Sequence, residues 1–310
     1  MSLNRYMISK NQVLGLEVIM NILNNEPNKK DFLEMSKYEG KIFVIKYGGS
    51  IMSNDVAKEA FVDDIELMTK AGIKVVIVHG GGPLISKWVK KTGGENKFVK
   101  GLRVTSKDTM EIVEMVLSGN VNKRLSSILS IRGLNSIGIS GRDSNLIQAK
   151  KKYVFDDNKK IDIGFVGEVS NINTKVLVTL LKNKYIPVIS PVGVGCKGNS
   201  YNINADYAAA AISGVLKAEK LLIMTDIDGV YTDITDPTTL LSSITVAQTK
   251  EFISKGMIYG GMIPKLECCV AAINKGAKNV HLVDGRKKHG LLLNIIKDSG
   301  TKIITAKGVI

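Results

Sequence analysis

The sequence predicts an α/β protein folded as a three-layer αβα sandwich around a mainly parallel central sheet. Four short segments are apolar over nearly their whole length, which is typical of strands buried on both faces. Segments with helical periodicity alternate with them along the chain. This alternation favours a parallel sheet with helices packed on both sides. The four strand segments are 41–47, 73–79, 185–190 and 220–225.

The other elements follow from the same periodicities in chain order. Residues 13–23 predict an amphipathic N-terminal helix, which a polar break at 24–28 sets apart and which must bury its apolar face on its own body or on another subunit. Residues 97–105 predict a strand or hairpin, 106–132 one long helix, and the lysine-rich stretch 150–162 an exposed hairpin. Further helices are expected at 55–71, 83–91, 205–216, 246–255 and 264–275, and further strands at 136–140, 164–169, 280–283 and 302–305.

Length and composition predict a soluble globular chain. The 310 residues suggest one large domain or two lobes. We place a lobe boundary near Lys217, between 29–217 and 218–310, behind the N-terminal segment 1–28. Apolar residues make up 44% and charged residues 23%, which excludes a disordered chain. No stretch approaches the roughly 18 uninterrupted apolar residues that a membrane span needs.

Charge and cysteine content narrow the partners and the compartment. Lysine and arginine (43) exceed aspartate and glutamate (29), and the net charge of +14 favours anionic partners such as nucleic acid, lipid or small phosphorylated and carboxylated substrates. Scattered basic residues and 5% aromatics disfavour nucleic acid. Three cysteines without a CxxC pair and three histidines predict no disulfide framework and no metal site, and indicate the cytoplasm.

Two glycine-rich loops follow predicted strands and are candidate anion sites. Lys46 precedes Gly48 and Gly49 in KYGGS, and the second loop reads VHGGGP. Neither fits the P-loop or the dinucleotide pattern, yet backbone N–H groups at such strand and helix ends are free to face an anion. The alternative is that both loops are tight turns and that His79 packs in its strand rather than acting as a base.

Two polar motifs, at 101–105 and 200–206, stand before and after the middle part of the chain. Arg103, in GLRVT, is of the residue type that binds a carboxylate with two hydrogen bonds; alternatively it is an exposed arginine on a hairpin. In SYNINAD, Asn202 would bind a substrate amide or carboxylate, and Asp206 would pair with lysines. The alternative is that Asn204 caps the next helix and Asp206 stabilises its first turn.

The last two motifs are TDIDGVY, which closes a buried strand at 225–231, and GGMIPK, which leads into a helix that carries Lys265. The aspartates of the first motif are alternatively plain turn residues. Taken together, the chain offers Lys46, Lys265, Arg103 and Asp206 with two anion loops and no nucleophile. That set of residues suits phosphoryl transfer by positioning and charge neutralisation.

These motifs resemble the amino-acid kinase superfamily and, within it, the bacterial N-acetylglutamate kinases. KYGGS, VHGGGP, KGLRVT, SYNINAD, TDIDGVY and GGMIPK stand in that family's order and spacing over about 41–307. The resemblance implies that Lys46 and Lys265 stabilise the transferring phosphoryl group, with Asp206 holding both lysines. It also implies that Gly81 and Gly82 bind the substrate's side-chain carboxylate, Arg103 its α-carboxylate and Asn202 its backbone.

The same resemblance implies an acetylglutamate-binding lobe at 29–217, a nucleotide-binding lobe at 218–310, and the second step of arginine biosynthesis. The γ-carboxylate of N-acetyl-L-glutamate would attack the γ-phosphorus of ATP, without a general base. Mg²⁺ would be held mainly by the ATP phosphates. The implied nucleotide-binding residues are Gly48, Gly49, Thr225, Asp226, Gly229, Val230, Tyr231, Tyr259, Gly260 and Gly261.

Family members with an N-terminal helix form hexamers, as trimers of dimers, that L-arginine inhibits. The resemblance therefore implies a homohexamer through 1–28 and an arginine site near Lys220, His281 and Asn294. The segment 292–301 departs from the family pattern, because Asn294 replaces a glutamate expected to pair with arginine and the loop is two residues shorter. Losing a charged partner would cost about 1.5–3 kcal/mol, so we expect weakened inhibition.

Three alternatives stay open at this point. A sister kinase would act on another N-blocked acidic amino acid, such as an aminoadipate, although GLRVT argues against it. A non-catalytic amino-acid sensor would have no need for Lys46, Asp206 and Lys265 together. Nucleic-acid binding driven by the net charge would show a steep salt dependence.

Overall fold

A computed structural model describes residues 34–156, 159–258 and 260–305. The predicted N-terminal helix at 13–23 and the nucleotide-pocket residue Tyr259 lie outside these ranges. The strands are β1 (Ile42–Tyr47), β2 (Lys74–His79), β3 (Phe98–Val99), β4 (Leu102–Arg103), β5 (Ser136–Ser140), β6 (Ile147–Asp156), β7 (Lys159–Ile172), β8 (Ile186–Ser190), β9 (Val192–Val194), β10 (Ser200–Ile203), β11 (Lys220–Thr225), β12 (Val230–Tyr231), β13 (Leu240–Leu241), β14 (Ser243–Thr245), β15 (Asn279–Asp284) and β16 (Thr301–Ile304). The main helices are α1 (Asp55–Lys70), α2 (Gly82–Lys91), α3 (Lys107–Glu114), α4 (Asn122–Ile131), α5 (Lys175–Lys182), α6 (Ala205–Val215), α7 (Val246–Ser254), α8 (Met262–Asn274) and α9 (Gly290–Lys297).

Eight strands form the central sheet in the order β14-β16-β15-β11-β1-β2-β8-β5. The pairs from β15 to β5 are parallel, whereas β16 runs antiparallel to β15 and β14 runs parallel to β16. Lys46, near the end of β1, lies opposite Val78 on one side and Ile223 on the other. The carboxyl ends of β2, β1 and β11 therefore lie side by side, with the glycine loops at the same edge.

Helices cover both faces of this sheet. Along β1, Phe43 and Ile45 point into one apolar cluster and Val44 into another, which is the period of two of a strand. Helices α1, α4 and α9 complete the first cluster, and α5, α6 and α8 complete the second. The predicted three-layer αβα sandwich with a mainly parallel sheet is confirmed.

The single long helix predicted at 106–132 is wrong in one respect. A π-helical segment, Met115–Val121, interrupts it between α3 and α4. This segment packs Leu117 against Gly81, while the Ser118 hydroxyl lies 2.8 Å from that of Ser190. The wider turn therefore brings the helix against the glycine loop after β2 and against the end of β8. These are tertiary contacts, which local periodicity does not reveal.

The hairpins agree with prediction, and two helices were missed. Residues 97–105 contain the antiparallel pair β3–β4, and 150–162 lies in the longer pair β6–β7, which joins β9 and β10 in a small closed sheet. Helices α5 and α9 were not predicted from the sequence. The start of α9 lacks the usual signal because His289, which precedes it, provides no side-chain cap. No described helix is long and apolar enough to cross a membrane.

Candidate active site

Three charged side chains from distant parts of the chain meet at the carboxyl edge of the sheet. Lys46 Nζ lies 3.0 Å from Asp206 Oδ1, and Lys265 Nζ lies 3.6 Å from Asp206 Oδ2. One carboxylate therefore bridges two ammonium groups. Lys46 and Asp206 are each 8% exposed, whereas the Lys265 side chain is 24% exposed and reaches the cluster from its open side.

The bridge keeps Asp206 ionised. Burial alone would raise the pKa of this carboxyl, but the charges of Lys46 and Lys265 outweigh burial and hold the pKa below its usual range. Asp206 Oδ1 accepts no aligned hydrogen bond from the described residues. Its contact with Lys46 is therefore an ion pair, and the ammonium group retains N–H donors for a further anion.

Helix termini place these groups. The Asn204 side chain caps α6 by accepting from the backbone N–H of Asp206 at 2.8 Å and of Tyr207 at 3.4 Å. Helix capping and charge pairing thus occur together, since the Asn204 side chain accepts the backbone hydrogen bonds while the Asp206 carboxylate faces the lysines. Lys265 lies in the first turn of α8, which begins two residues after Gly260, whose φ of +60° falls in the left-handed region.

The two glycine loops lie against this cluster. A Cβ on Gly48 would stand 3.2 Å from Lys46 Nζ, and Gly49 has a φ of +75°, a conformation that glycine adopts without strain. A Cβ on Gly81 would stand 2.5 Å from Leu117 Cδ2. A Cβ on Gly48 would also stand 3.6 Å from Gly80 N. The two loops therefore approach each other beside Lys46, and the N-terminus of α2 adds its positive end there.

A cavity of about 230 Å³ extends from the lysine–aspartate bridge to Arg103. The residues predicted to bind the acceptor substrate all line it, together with apolar side chains from β3, α2 and β7. The positive charges of Lys46 and Arg103 and the apolar part of the lining suit a small molecule with two anionic groups. The polar lining comprises Lys46, Gly49, Gly81, Gly82, Arg103, Asn202, Asn204 and Asp206.

Arg103 enters this cavity as a charge without a carboxylate partner among the described residues. Its guanidinium donates to Gly82 O at 3.1 Å, to Ser86 Oγ at 2.7 Å and to Asn96 Oδ1. The guanidinium carbon lies 4.8 Å from the centre of the Phe98 ring. Burial lowers its pKa, but an arginine stays protonated, so the cavity holds an uncompensated positive charge.

Three side chains that orient the substrate-facing residues, Ser86, Asn96 and Thr105, were not predicted from the sequence. Asn96 donates to Ser86 O at 3.0 Å and accepts from Arg103. Thr105 Oγ1 accepts from Asn202 Nδ2 at 3.2 Å. Thr105 belongs to the GLRVT motif, which gave a signal, but Ser86 and Asn96 stand in ordinary helix and turn sequence, where no pattern marks them.

His79 takes no part in the cavity's chemistry. It is fully buried at the end of β2, and burial lowers its pKa to about 4. Nδ1 lies 2.9 Å from Gly80 O, and Nε2 lies 3.1 Å from Asn122 Nδ2. These partners assign the neutral tautomer with its proton on Nδ1, so the strand-packing alternative describes His79.

The predicted nucleotide segment lies beside the bridge, at the end of β11. Thr225 is buried there opposite Asp284 of β15. Tyr231 Oη donates to Asp228 Oδ2 at 2.9 Å, and Lys287 Nζ lies 2.6 Å from Asp228 Oδ1. Chiefly through Lys287, these contacts lower the pKa of Asp228 to about 2.

The remaining nucleotide candidates are held by backbone packing. Val230 N donates to Thr301 Oγ1 at 2.8 Å, and Thr301 leaves no room for a side chain at Gly229. Gly260 and Gly261 precede α8, while Asp226 follows β11 directly. The structure thus brings these segments to the same edge of the sheet as Lys46.

The predicted arginine-site residues form a second polar cluster at the other end of β11, roughly 16 Å away along the strand. Asn294 Nδ2 lies 3.0 Å from His281 Nδ1 and donates to Ser299 O at 2.6 Å. Lys220 Nζ lies 3.5 Å from Asp298 Oδ1. Within the described part of the chain, Lys220 Nζ, His281 Nε2 and Asn294 Oδ1 are buried without a hydrogen-bond partner.

The described residues contain no group of three or more His, Cys, Asp or Glu side chains arranged to hold a metal ion. The carboxylate nearest the cavity, Asp206, is already committed to two lysines.

Comparison with known proteins places these features in a family. The model of the "Amino acid kinase family" matches residues 41–284. Acetylglutamate kinase from Clostridium acetobutylicum is 51% identical over 92% of this chain and 96% of its own length. Acetylglutamate kinase from Desulforamulus reducens is 48% identical over 86% of this chain and 91% of its own length.

Solved structures match in fold. The N-acetylglutamate synthase from Neisseria gonorrhoeae, complexed with coenzyme A and N-acetyl-glutamate, gives a TM-score of 0.77 at 22% identity, over 89% of this chain and 62% of that one. Carbamate kinase from Giardia lamblia bound to AMP-PNP gives 0.61 at 18% identity, over 86% and 99%. At these identities the likeness concerns the fold alone.

Proposed function

The chain belongs to the amino acid kinase family, and we propose that Lys46, Asp206 and Lys265 form the centre at which it transfers a phosphoryl group. It catalyses the ATP-dependent phosphorylation of N-acetyl-L-glutamate in arginine biosynthesis, the reaction of the acetylglutamate kinases to which it is similar. The observation that carries the site assignment is the single buried carboxylate that bridges two lysines at the end of a cavity.

The acceptor substrate lies between Arg103 and the bridge. Its α-carboxylate pairs with the uncompensated guanidinium of Arg103, and Asn202 binds the substrate backbone. The backbone at Gly81 and Gly82, at the start of α2, receives the side-chain carboxylate. This arrangement leaves that side-chain carboxylate, the γ-carboxylate, beside Lys46. The carbon skeleton and the acetyl group then pack against the apolar side chains of the cavity.

The reaction is an in-line displacement. An oxygen of the γ-carboxylate attacks the γ-phosphorus of ATP, a carboxylate–phosphorus bond forms, and the bond to the bridging oxygen breaks, so that ADP leaves with the electron pair. A carboxylate is already a nucleophile at neutral pH, and no proton has to be removed. The barrier arises from repulsion between anions, which Lys46, Lys265 and the glycine N–H groups neutralise.

Mg²⁺ accompanies the nucleotide in this proposal. Because Asp206 already pairs with two lysines, Mg²⁺ would be held mainly by the phosphate oxygens of ATP. When bound, it neutralises charge on the phosphates. The protein's own part is to position the nucleotide through Gly48, Gly49, the segment 225–231, Gly260 and Gly261. Tyr259, which lies outside the described residues, stays a predicted nucleotide-binding residue.

The two proposed lobes share the central sheet. We assign acetylglutamate binding to 29–217 and nucleotide binding to 218–310. The two meet where β1 pairs with β11, which puts Lys46 on one side of the junction and Thr225 on the other. Closure of the lobes would shorten the distance between the two substrates. We place the reaction in the cytoplasm, where its co-substrate ATP is made and used.

Oligomerisation and effector binding complete the proposal. The segment 1–28 supplies an oligomerisation helix that builds a homohexamer as a trimer of dimers. Lys220, His281 and Asn294 form an L-arginine site whose affinity is reduced, because an amide stands where the family has a carboxylate. Light scattering on the full chain tests the hexamer, and a titration with arginine tests the site.

The assay that tests the function is ADP release with ATP, Mg²⁺ and N-acetyl-L-glutamate. The wild-type chain should turn over, while Lys265→Ala, folded to the same melting temperature, should lose most of its kcat. N-acetyl-aminoadipate in the same assay separates a sister kinase from the proposed one. Nucleotide binding without turnover of either substrate would contradict the proposal and would favour a sensor.

A further inference from the structure

A buried acid lies away from the reaction centre. Asp64 is 1% exposed on α1, on the face that packs into the apolar layer with Phe61 and Ile65. His289 Nδ1 lies 2.7 Å from Asp64 Oδ1, and Leu291 N donates to Asp64 Oδ2 at 3.2 Å. Burial raises the pKa of Asp64 to about 6, against these hydrogen bonds. A carboxylate in an apolar layer persists only with such partners.

The partners of Asp64 form the start of another helix. His289 precedes α9 with a φ of 58°, in the left-handed region, and provides no side-chain cap. The first N–H groups of a helix have no acceptor within it. Asp64, which lies 227 residues before Leu291, supplies an acceptor for the Leu291 N–H and so acts as the cap of α9.

The loop 285–288 leads from this cap to the proposed nucleotide segment. Gly285 N donates to Thr225 O at 2.9 Å, and Lys287 Nζ lies 2.6 Å from Asp228 Oδ1. At its other end, Gly290 N donates to Lys287 O at 3.2 Å. The loop is therefore attached at one end to segment 225–231 and at the other to the first turn of α9.

The first glycine loop contacts this region as well. The space beside Gly285 is filled by Ile51, so that no side chain fits there. Ile51 belongs to the short 3-10 helix Gly49–Ser53, directly before α1. Helix α1 thus begins at the loop proposed to face the phosphates and, through Asp64, fixes the helix that ends the loop 285–288.

We propose that Asp64 and His289 are positioning residues that hold the loop 285–288, and through it the segment 225–231, in the geometry that binds the nucleotide. The inference rests on the proposed function in taking 225–231 as the nucleotide segment. Losing the pair frees the first turn of α9, and the loop then loses its fixed end. The acceptor cavity is lined by other elements, so its affinity should not change.

The test compares three asparagine variants. Asp64→Asn keeps an acceptor but loses the charge, and His289→Asn keeps a residue that tolerates a left-handed φ. Asp63→Asn is the matched control, because it makes the same change one residue away on α1, at a partly exposed pair with Arg132. The readouts are the Kd of ADP by calorimetry, which needs no turnover, and the KM of each substrate.

We expect Asp64→Asn and His289→Asn to weaken ADP binding and raise the KM for ATP about tenfold or more, with the KM for N-acetyl-L-glutamate unchanged. Asp63→Asn should change neither. Unchanged ADP affinity in His289→Asn, or in a folded Asp64→Asn, would overturn the inference even if the melting temperature falls. Asp228→Asn reports separately on the proposed function, because it changes the nucleotide segment itself.

Discussion

Lys46 and Lys220 are buried at opposite edges of the central sheet, in contrasting surroundings. Lys46 is paired with Asp206 at 3.0 Å and faces a cavity. Lys220 is as deeply buried, but its nearest carboxylate, Asp298, lies 3.5 Å away and is largely exposed. Burial lowers the pKa of Lys220, with Asp298 opposing it. One end thus has a compensated charge beside a cavity, and the other a charge with little compensation.

The contrast shows how a single carboxylate decides what a buried ammonium group does. Asp206 pairs with Lys46 and Lys265 and holds both at one end of the cavity. At the other cluster Asn294 contributes an amide, and its Oδ1 is left unpaired, as is His281 Nε2, within the described residues. Unpaired buried polar groups are costly, so this cluster gains stability from any polar ligand that fits.

The largest difference in kcat should appear between two single variants, one that removes Lys46 from the active site and one that removes Lys220 from the second cluster. Lys46→Ala should lower kcat about 100–1,000-fold, the usual loss for a group that stabilises charge in the transition state. Lys220→Ala should leave kcat nearly unchanged, because it lies a strand length away. Steady-state kinetics on both variants checks this, and comparable losses of kcat would remove the distinction between the clusters.

The Asp206 bridge should also appear in stability. Asp206→Asn leaves two lysines without their carboxylate and should lower the free energy of unfolding at pH 7 by about 3 kcal/mol. Because the folded state lowers the pKa of Asp206 from 3.8, its contribution is present above that value and lost as the pH falls through the folded pKa.

Urea unfolding at pH 7 and at stepwise lower pH measures the difference between wild type and Asp206→Asn. The gap should narrow as the pH falls below about 4. A gap that widens on acidification would mean that Asp206 is not a charged bridge in the folded protein.

A smaller effect, on the KM for N-acetyl-L-glutamate, is expected from changing Arg103, the uncompensated charge in the cavity. Arg103→Lys keeps the charge but loses the planar set of donors that matches a carboxylate. The KM for N-acetyl-L-glutamate should rise roughly tenfold or more, while the KM for ATP stays the same. If the two KM values rose together, Arg103 would be supporting the fold of both sites rather than binding the acceptor.

The smallest effect should come from giving the second cluster a carboxylate. Asn294→Glu places an acid near Lys220 and His281 and should lower the arginine concentration for half-inhibition by about tenfold. Asn294→Gln is the matched control, because it adds the same length without charge. Equal responses of the two variants to arginine would show that charge at this position does not govern effector binding.

Much of the fold was predictable because buried parallel strands are continuous apolar runs. Lys46, Arg103 and Asp206 were candidates because their motifs combine charge with glycine or a helix start. Each motif also fitted a plain structural interpretation, and the roles given to these residues come from the family resemblance. The π-helical segment Met115–Val121 was not predictable, because it depends on tertiary packing of Leu117 against Gly81. Helix α9 was missed because its cap, Asp64, comes from a distant helix.

The most direct test of phosphoryl transfer to a carboxylate is to trap the product with hydroxylamine, which converts an acyl phosphate into a hydroxamate and releases phosphate. With ATP, Mg²⁺ and N-acetyl-L-glutamate, we expect one hydroxamate for each ADP. Both products should be lost in Lys46→Ala and retained in Lys220→Ala. ADP formed without hydroxamate would show transfer to water and would contradict the proposed chemistry.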